Sequence, residues 1–324
     1  MITKLLAHIP RLPLAVYPTP LIAVPRLAKS LNTAALYFKR DDLISFGLGG
    51  NKIRGLEFIV ADALAQEAET LVTGAGVQSN HVRATAAVAA CYGLKCVAVY
   101  WGSPPDTVEG NYRLTQMLGA TVHFTRDNER SSVDTGITEM ANNLPRAYAI
   151  PRGGACVLGV LGHILAVQEL YVQCQQQGIS PDVIVLAGGS GGTCAGWLLG
   201  IRLLNLPWRV ACFSVSRPAQ ELQAQIARLA NAAASLLGVD YLFAADSIAV
   251  NDAFIGAGYG IPSADAAAAI RLVGRTEGVL LDPTYTGKAM AGYLHAVNPE
   301  ECTVFMHSGG EPAFFVGAGD WLNV

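Results

Sequence analysis

The sequence carries few charges and no concentration of either sign. Only 15% of its 324 residues are charged, and the formal net charge at pH 7 is -3. Because binding to nucleic-acid phosphates needs a basic face, we expect no nucleic-acid partner. No apolar run reaches membrane-spanning length without a charge, a glycine or a polar residue at helical spacing, so we expect no membrane partner either.

Metal-binding and disulfide patterns are also missing. The seven cysteines are scattered, mostly in apolar segments, without Cys-x-x-Cys spacing, and the six histidines form no metal-ligand pattern. We therefore predict no metal site and small buried thiols in a reducing compartment. The N-terminal apolar run is too short for a signal peptide, which favours the cytoplasm.

The apolar fraction is high, at 52%. A chain of this length exceeds the usual size of one hydrophobic core, so two domains are expected. The apolar excess predicts a covered subunit surface, and we expect a homodimer acting on a small molecule.

Strand-like and helix-like segments alternate along most of the chain. This pattern predicts an α/β fold of two open, twisted, mostly parallel sheets with helices on both faces. Residues 46–160 are expected to form a small domain inserted into a large one made of residues 1–45 and 161–324. Five prolines between residues 10 and 25 predict an N-terminal arm without regular helix. Ligands of such sheets bind beyond the carboxyl ends of the strands.

A lysine follows a glycine pair at the predicted start of a helix, in Gly49-Gly50-Asn51-Lys52. The positive end of a helix dipole and a partly desolvated surface both disfavour an ammonium ion. Lys52 is therefore a candidate for Schiff-base formation. The alternative is a solvated lysine, since most lysines are surface charges.

A second motif is the glycine loop, Gly188-Gly189-Ser190-Gly191-Gly192-Thr193, which joins an apolar strand to a helix. Such a turn offers backbone N–H groups and a helix N-terminus to a phosphate. A lysine for an aldehyde and a cradle for a phosphate together indicate pyridoxal phosphate. The alternatives are a plain packing turn or a nucleotide-binding module, although the loop does not fit G-x-G-x-x-G and no acidic residue ends the next strand.

Six blocks in order resemble the 1-aminocyclopropane-1-carboxylate deaminase and D-cysteine desulfhydrase family. They are Gly49-Gly50-Asn51-Lys52, Gln78-Ser79-Asn80-His81, the glycine loop, Gly258-Tyr259-Gly260, Tyr285-Thr286-Gly287-Lys288 and His307-Ser308-Gly309-Gly310. The resemblance spans nearly the whole chain. It implies a fold-type II pyridoxal phosphate enzyme, related to the tryptophan synthase β subunit.

The resemblance implies a role for each matching position. Lys52 would bind the cofactor and then move the α-proton, and the implied catalytic set is Lys52, Ser79, Tyr259 and Tyr285. The implied cofactor-binding residues are Lys52, Asn80, Gly188, Gly189, Ser190, Gly191, Gly192, Thr193 and Ser308. The implied substrate-binding residues are Ser79, Asn80, His81, Tyr259, Tyr285 and Thr286. Taken singly, each has a structural interpretation: Ser79 and Asn80 suit a helix N-cap, and a lone histidine or tyrosine suits a core.

Two positions favour the desulfhydrase branch. Deaminases of the family resemble Tyr-Glu-Gly-Lys and His-Leu-Gly-Gly, whereas this chain has Thr286 and Ser308 at the variable places. The expected activity is α,β-elimination on a small β-substituted amino acid such as D-cysteine. Cyclopropane-acid deamination and L-cysteate sulfo-lyase activity stay open, because Ala155-Cys156 and residues 101–110 depart from the family's pattern.

Overall fold

The protein, seen as a computed structural model, is described for residues 2–317. Within that range the strands are β1 (Leu21–Ala23), β2 (Ala35–Arg40), β3 (Thr70–Ala75), β4 (Lys95–Tyr100), β5 (Thr121–Phe124), β6 (Ala147–Ala149), β7 (Val183–Gly188), β8 (Arg209–Ser214), β9 (Val250–Asn251) and β10 (Cys302–His307). The helices are α1 (Ile2–Leu5), α2 (Pro25–Ser30), α3 (Lys52–Ala65), α4 (Asn80–Cys91), α5 (Gly110–Met117), α6 (Ser132–Asn143), α7 (Val157–Gln177), α8 (Gly192–Leu203), α9 (Ala219–Leu236), α10 (Ala264–Glu277) and α11 (Thr286–Ala296).

The larger sheet has the strand order β1-β2-β10-β7-β8-β9, and its β1–β2 pair is antiparallel while the other pairs are parallel. Side chains alternate between its faces, as the two-residue period of a strand requires. Val183 and Val185 pack into a core with α2, α10 and α11. Ile184 and Leu186 point the other way, into a core with α7, α8 and α9. Burial on both faces explains why β7 reads as a continuous apolar run.

The smaller sheet has the order β5-β4-β3-β6, with every pair parallel. Leu71 packs with residues of α3 and α4, and Val72 packs on the opposite face with α6. The predicted fold class is therefore confirmed. The strands of this sheet all lie within residues 46–160 and those of the larger sheet lie outside that range, but the domain limits themselves stay a prediction.

Residues 10–24 contain no helix, as the prolines predict, and α2 begins at Pro25, where the missing N–H and fixed φ of proline are tolerated. One expectation from the sequence is wrong. The cysteines are not all buried, since Cys91 at the end of α4 is exposed and both Cys156 and Cys302 are partly exposed. An apolar neighbourhood in sequence does not tell which face of a helix a residue occupies.

Helix α7 is long and apolar enough to cross a membrane by length and composition alone. However, 61% of its apolar window is buried inside the protein, where it packs against α3, α8 and α9. A helix buried to this extent against three other helices is part of the protein core.

Candidate functional site

The carboxyl ends of the two sheets face a common cleft of about 440 Å³. Ala75 and Trp101 line it from the ends of β3 and β4, and Gly189 and Ser216 line it from the region after β7 and β8. Parallel sheets bind ligands at this edge, since loops and helix N-termini converge there. The cleft is therefore the candidate site.

Lys52 is the first residue of α3, and its half-buried side chain lines the cleft. Burial lowers the pKa of this lysine from 10.5 to about 8. Among the described residues its Nζ has no hydrogen-bond or ion-pair partner. An amine that is partly neutral near pH 7 and free of partners can attack a carbonyl carbon. A fully solvated lysine does not fit this position.

The segment before Lys52 passes close beneath the end of β10. Gly50 has φ +94°, and a Cβ atom there would lie 2.9 Å from the Ser308 carbonyl oxygen, so only glycine fits. The Arg83 guanidinium donates to the Gly49 carbonyl oxygen at 3.2 Å and also to that of Gly47. These contacts fix where α3 begins and therefore where Lys52 lies.

The glycine loop runs from the end of β7 into the N-terminus of α8. Gly191 has φ +88°, and a Cβ on Gly188 would approach Cys212 Sγ to 2.5 Å, so side chains are excluded at both places. The loop is tied to the lysine segment, because Asn51 Nδ2 donates to Thr193 Oγ1 at 3.0 Å. Free N–H groups at the start of a twelve-residue helix suit a phosphate.

Asn80 lines a smaller cavity that it shares with Lys52, Tyr285, Ser308 and most of the glycine loop. Its Oδ1 accepts from Asn111 Nδ2 at 2.9 Å and from Arg83 Nη2 at 3.4 Å. Because these donors fix the orientation of the amide, the Asn80 NH2 group is left without a partner among the described residues. It is available to donate to an acceptor bound in the cavity.

Ser79 and His81 line the main cleft at the N-terminus of α4. Ser79 is also the N-cap of that helix, with Oγ accepting from Val82 N at 3.3 Å, so the structural interpretation holds as well. His81 is 2% exposed, and Nε2 lies 3.1 Å from Thr73 Oγ1. Burial, together with the nearby Lys52 charge, lowers the pKa of His81 to about 3, so the ring is neutral.

Tyr259 and Tyr285 form one hydroxyl pair in the wall of the cleft, with 2.7 Å between their oxygens. Burial raises the pKa of both phenols, so both stay protonated near neutral pH. The loop that carries Tyr259 is held by Lys288, whose buried Nζ donates at 2.7 Å to the carbonyl oxygens of Ile255 and Gly258. Lys288 is therefore a positioning residue.

Of two further predicted site residues, Ser308 lines a cavity and Thr286 does not. Ser308 directly follows β10 and lines the smaller cavity with Asn80. Thr286 is not brought to either cavity: it is fully buried, and its hydroxyl donates to Asp282 Oδ1 at 2.7 Å. Gly192, although part of the glycine loop, lines neither of these cavities and instead lines a third, small cavity with His163.

Sequence reasoning passed over several residues of the cleft. Arg130 and Arg217 line it. Arg152 and Trp101 line it as well, and Trp101 belongs to the stretch 101–110 that departs from the family's pattern. Each arginine comes shortly after a strand of one of the sheets, so the position at the carboxyl edge was the available signal. Ala155 and Cys156 do not line the cleft.

Three possible metal ligands come together although the sequence shows no metal pattern. Atoms of Asp42, His307 and Glu311 lie within 4.8 Å of one another. The ring of His307 is already used, since Nε2 contacts the Leu280 carbonyl oxygen at 2.9 Å and Nδ1 accepts from Gly309 N. We assign no ion to this group.

The residues around Lys52 fit pyridoxal phosphate. An unpartnered amine suits its aldehyde, the free amide of Asn80 suits its phenolic oxygen, and the helix-capping glycine loop suits its phosphate. These three groups share one cavity. The chemistry of the donors thus agrees with the cofactor expected from the sequence.

Known proteins resemble the chain over nearly its whole length. D-cysteine desulfhydrase of Salmonella paratyphi B is 38% identical, covering 96% of this chain and 97% of that protein. D-cysteine desulfhydrase of Serratia proteamaculans is 39% identical, with 96% of each covered. A solved structure described as an ACC deaminase homologue has 34% identity and a TM-score of 0.92, covering 99% of this chain and 98% of that one.

A more distant structure shares the fold alone. The fungal L-serine ammonia-lyase from Rhizomucor miehei has a TM-score of 0.68 at 18% identity, covering 92% of this chain and 95% of that one. The family described as pyridoxal-phosphate dependent enzyme matches residues 12–309, which is most of the chain and includes both the lysine segment and the glycine loop. The chain belongs to the pyridoxal-phosphate dependent enzyme family.

Proposed function

We propose that the protein is a lyase that removes the α-proton and the β-substituent of a small amino acid, with D-cysteine giving pyruvate, sulfide and ammonia. The observation that carries this proposal is the free amine of Lys52 in one cavity with the glycine loop at the N-terminus of α8. The names of the relatives at 38 and 39% identity support the choice of D-cysteine.

The cofactor would be held at four places. Lys52 would bind its aldehyde, the Asn80 amide would donate to its phenolic oxygen, and residues 188–193 would bind its phosphate through backbone N–H groups. Ser308 would place a hydroxyl at the pyridine nitrogen. A hydroxyl there stabilises a positive ring less than a carboxylate does, which favours elimination over transamination.

The bound cofactor supplies an electron sink for the density released at the α-carbon. Lys52 would accept the α-proton through Nζ, since its lowered pKa suits a base near neutral pH. The N-terminus of α4 would bind the α-carboxylate through Ser79 and the backbone N–H groups that follow it. The Tyr259–Tyr285 pair would orient the β-substituent and donate a proton to it as it leaves.

The cyclopropane-acid deaminase is the second candidate, because the 34%-identical solved structure carries that description. Ser308 argues against it, since it lines the cavity where the deaminase pattern has leucine, whereas Thr286 also departs from that pattern but lines neither cavity. The relatives are named for D-cysteine and not for cysteate, which ranks D-cysteine first, and a nucleotide-binding module does not agree with the family.

Product analysis tests the proposal. The purified protein should form pyruvate and sulfide in equal amounts from D-cysteine, and should be compared on L-cysteine and on the cyclopropane acid. Free pyridoxal phosphate with D-cysteine is the control for uncatalysed reaction. Formation of 2-oxobutyrate without pyruvate would assign the chain to the deaminase branch instead.

The lowered pKa of Lys52 predicts the pH dependence of cofactor capture. Only the neutral amine attacks an aldehyde, so the rate for the apoprotein should rise about tenfold per pH unit up to about pH 8 and then level off. Stopped-flow absorbance measures this rate, with Nα-acetyllysine as the comparison amine. A rate that continues to rise to pH 10 would show that burial does not lower this pKa.

We further propose that the protein is a cytoplasmic homodimer. Several large apolar side chains are exposed, among them Val16 at 92% and Leu48 at 56%, which suits a chain whose surface is partly covered by a partner subunit. Sedimentation equilibrium should give twice the chain mass of 34.1 kDa. A monomer at micromolar concentration would contradict this.

A further inference from the structure

Three arginines from both sheets converge on the outer part of the cleft that holds Lys52. Arg130 follows β5, Arg152 follows β6 and Arg217 follows β8. The first two are in direct contact, since Arg152 Nη1 donates to the Arg130 carbonyl oxygen at 3.0 Å. Burial lowers the pKa of Arg152; the Asp134 carboxylate opposes this effect, and the positive charges of Arg217 and Arg130 add to it. The outer cleft therefore concentrates positive charge.

Among residues 2–317, no carboxylate pairs with the guanidinium of Arg130. Arg152 pairs with Asp134 at 2.9 Å, and Arg217 pairs with Glu221. Arg130, in contrast, donates to the Ser216 carbonyl oxygen at 3.2 Å and lies over the rings of Trp101 and Tyr259, at 5.9 and 5.3 Å from their centroids.

Those contacts of Arg130 are all with neutral groups. The other carboxylate in the lining, that of Glu129, is exposed and forms no ion pair with the described residues. Arg130 thus presents a half-buried cation to the space above Lys52.

This cation is not needed for the α-carboxylate of an amino acid. The first turn of α4 already offers backbone N–H groups without intrahelical partners beside Ser79, on the same cleft. A guanidinium group fits tetrahedral oxyanions through paired N–H donors. With the α-carboxylate bound at α4, the arginines suit a second anionic group of the substrate, one that its β-carbon carries.

We propose that Arg130, supported by Arg152 and Arg217, is a specificity-determining residue that binds a tetrahedral oxyanion on the substrate's β-carbon. This inference rests on the proposed elimination chemistry and names a substrate class for the same cleft: small amino acids that carry a sulfate or phosphate ester. As the Cβ–O bond breaks, negative charge grows on the ester oxygen, and a fixed cation beside that oxygen stabilises the growing charge.

The reaction balances without an oxidant or reductant. The α-proton passes to Lys52, the C–H electron pair forms the Cα–Cβ double bond, and the Cβ–O bond breaks with its electron pair on the ester oxygen. The enamine product then takes up a proton and one water. Serine O-sulfate plus water thus yields pyruvate, ammonia and hydrogen sulfate, and O-phosphoserine yields phosphate in the same way.

The test compares charged and neutral esters of serine. Serine O-sulfate, O-phosphoserine and the neutral O-acetylserine are assayed as D and L forms for pyruvate, with wild type, Arg130→Gln and Arg130→Lys. We expect Arg130→Gln to lower the ratio of kcat/KM for sulfate ester over acetyl ester about 10- to 100-fold, as the loss of hydrogen bonds to a charged group predicts. Arg130→Lys should restore part of the ratio.

Arg113→Met is the matched control, since Arg113 is exposed on α5 and does not line the cleft, and it should leave the ratio unchanged. A preference for one charged ester over the other identifies which oxyanion the cleft takes. The proposal is overturned if neither charged ester reacts, or if Arg130→Gln lowers kcat/KM equally for charged and neutral esters, as an arginine on the α-carboxylate would.

Failure of this inference can be told from failure of the proposed function. A wild-type protein that captures the cofactor on Lys52 and releases pyruvate from D-cysteine, but ignores both charged esters, loses only the oxyanion subsite. A protein with no cofactor adduct on Lys52 loses both.

Discussion

Lys52→Ala is expected to abolish the covalent cofactor adduct and to lower turnover of D-cysteine by about 10³-fold or more. The change removes both the amine that binds the aldehyde and the base that takes the α-proton. Mass spectrometry after borohydride reduction should find the adduct on a peptide containing residue 52 in the wild type and on no peptide of the variant. Turnover is followed through pyruvate.

Two other lysines test whether this assignment is specific. Burial lowers the pKa of Lys288 to about 8 as well, but its Nζ is occupied by two carbonyl oxygens, so it should carry no adduct. Lys95→Ala is the control variant, because Lys95 is exposed at the start of β4 and its loss should leave both measurements unchanged. An adduct on Lys288, or full activity of Lys52→Ala, would refute the mechanism.

The sequence was most informative where local chemistry decides the structure. Lys52 begins α3 directly after Gly49, Gly50 and Asn51, and Gly191 takes a positive φ that glycine tolerates, so both features are visible in short motifs. Helices α7 and α10 likewise each end at a glycine in the left-handed conformation, Gly178 and Gly278, a common way for a helix to end.

What escaped prediction depends on contacts between distant segments. Arg130 follows β5, so its place at the carboxyl edge of the smaller sheet could be predicted, but its contacts with Ser216 and Tyr259 depend on how the two sheets face each other, which no spacing in the chain encodes. Thr286 matches a family motif, yet its hydroxyl turns to Asp282 rather than to the cleft. A motif identifies which residues share a neighbourhood, but side-chain direction is set by the partners that burial brings close.

The helix that carries Lys52 is anchored by a buried charge network that the sequence did not reveal. Arg54, 2% exposed, donates to both carboxylate oxygens of Asp41 at 2.7 Å and to Glu169 at 3.0 Å. Lys39 donates to the same Glu169, so two cations and two anions compensate one another. Burial alone would raise the pKa of Asp41, but the guanidinium of Arg54 outweighs burial and lowers it.

Arg54→Met should lower the free energy of unfolding by about 3–5 kcal/mol at pH 7, since it leaves an excess buried anion without its partner. Urea titration measures the loss. The matched control is Arg209→Met, which removes a pair with Glu301 whose arginine side chain is 61% exposed, and it should cost less than about 1 kcal/mol.

The pH dependence of the two proteins separates a lost charge partner from lost packing. In the wild type the folded-state pKa of Asp41 is depressed, so its contribution is present above the unfolded value of 3.8 and is lost as pH falls through the folded value. Without Arg54, burial dominates and raises the folded-state pKa above the unfolded one, so protonation on acidification stabilises the variant. The difference in stability between wild type and Arg54→Met should therefore shrink from pH 7 to pH 5. A difference that stays constant over this interval would mean that Arg54 stabilises α3 through its packing against Tyr17, whose ring lies 4.5 Å from the guanidinium, and not through its charge.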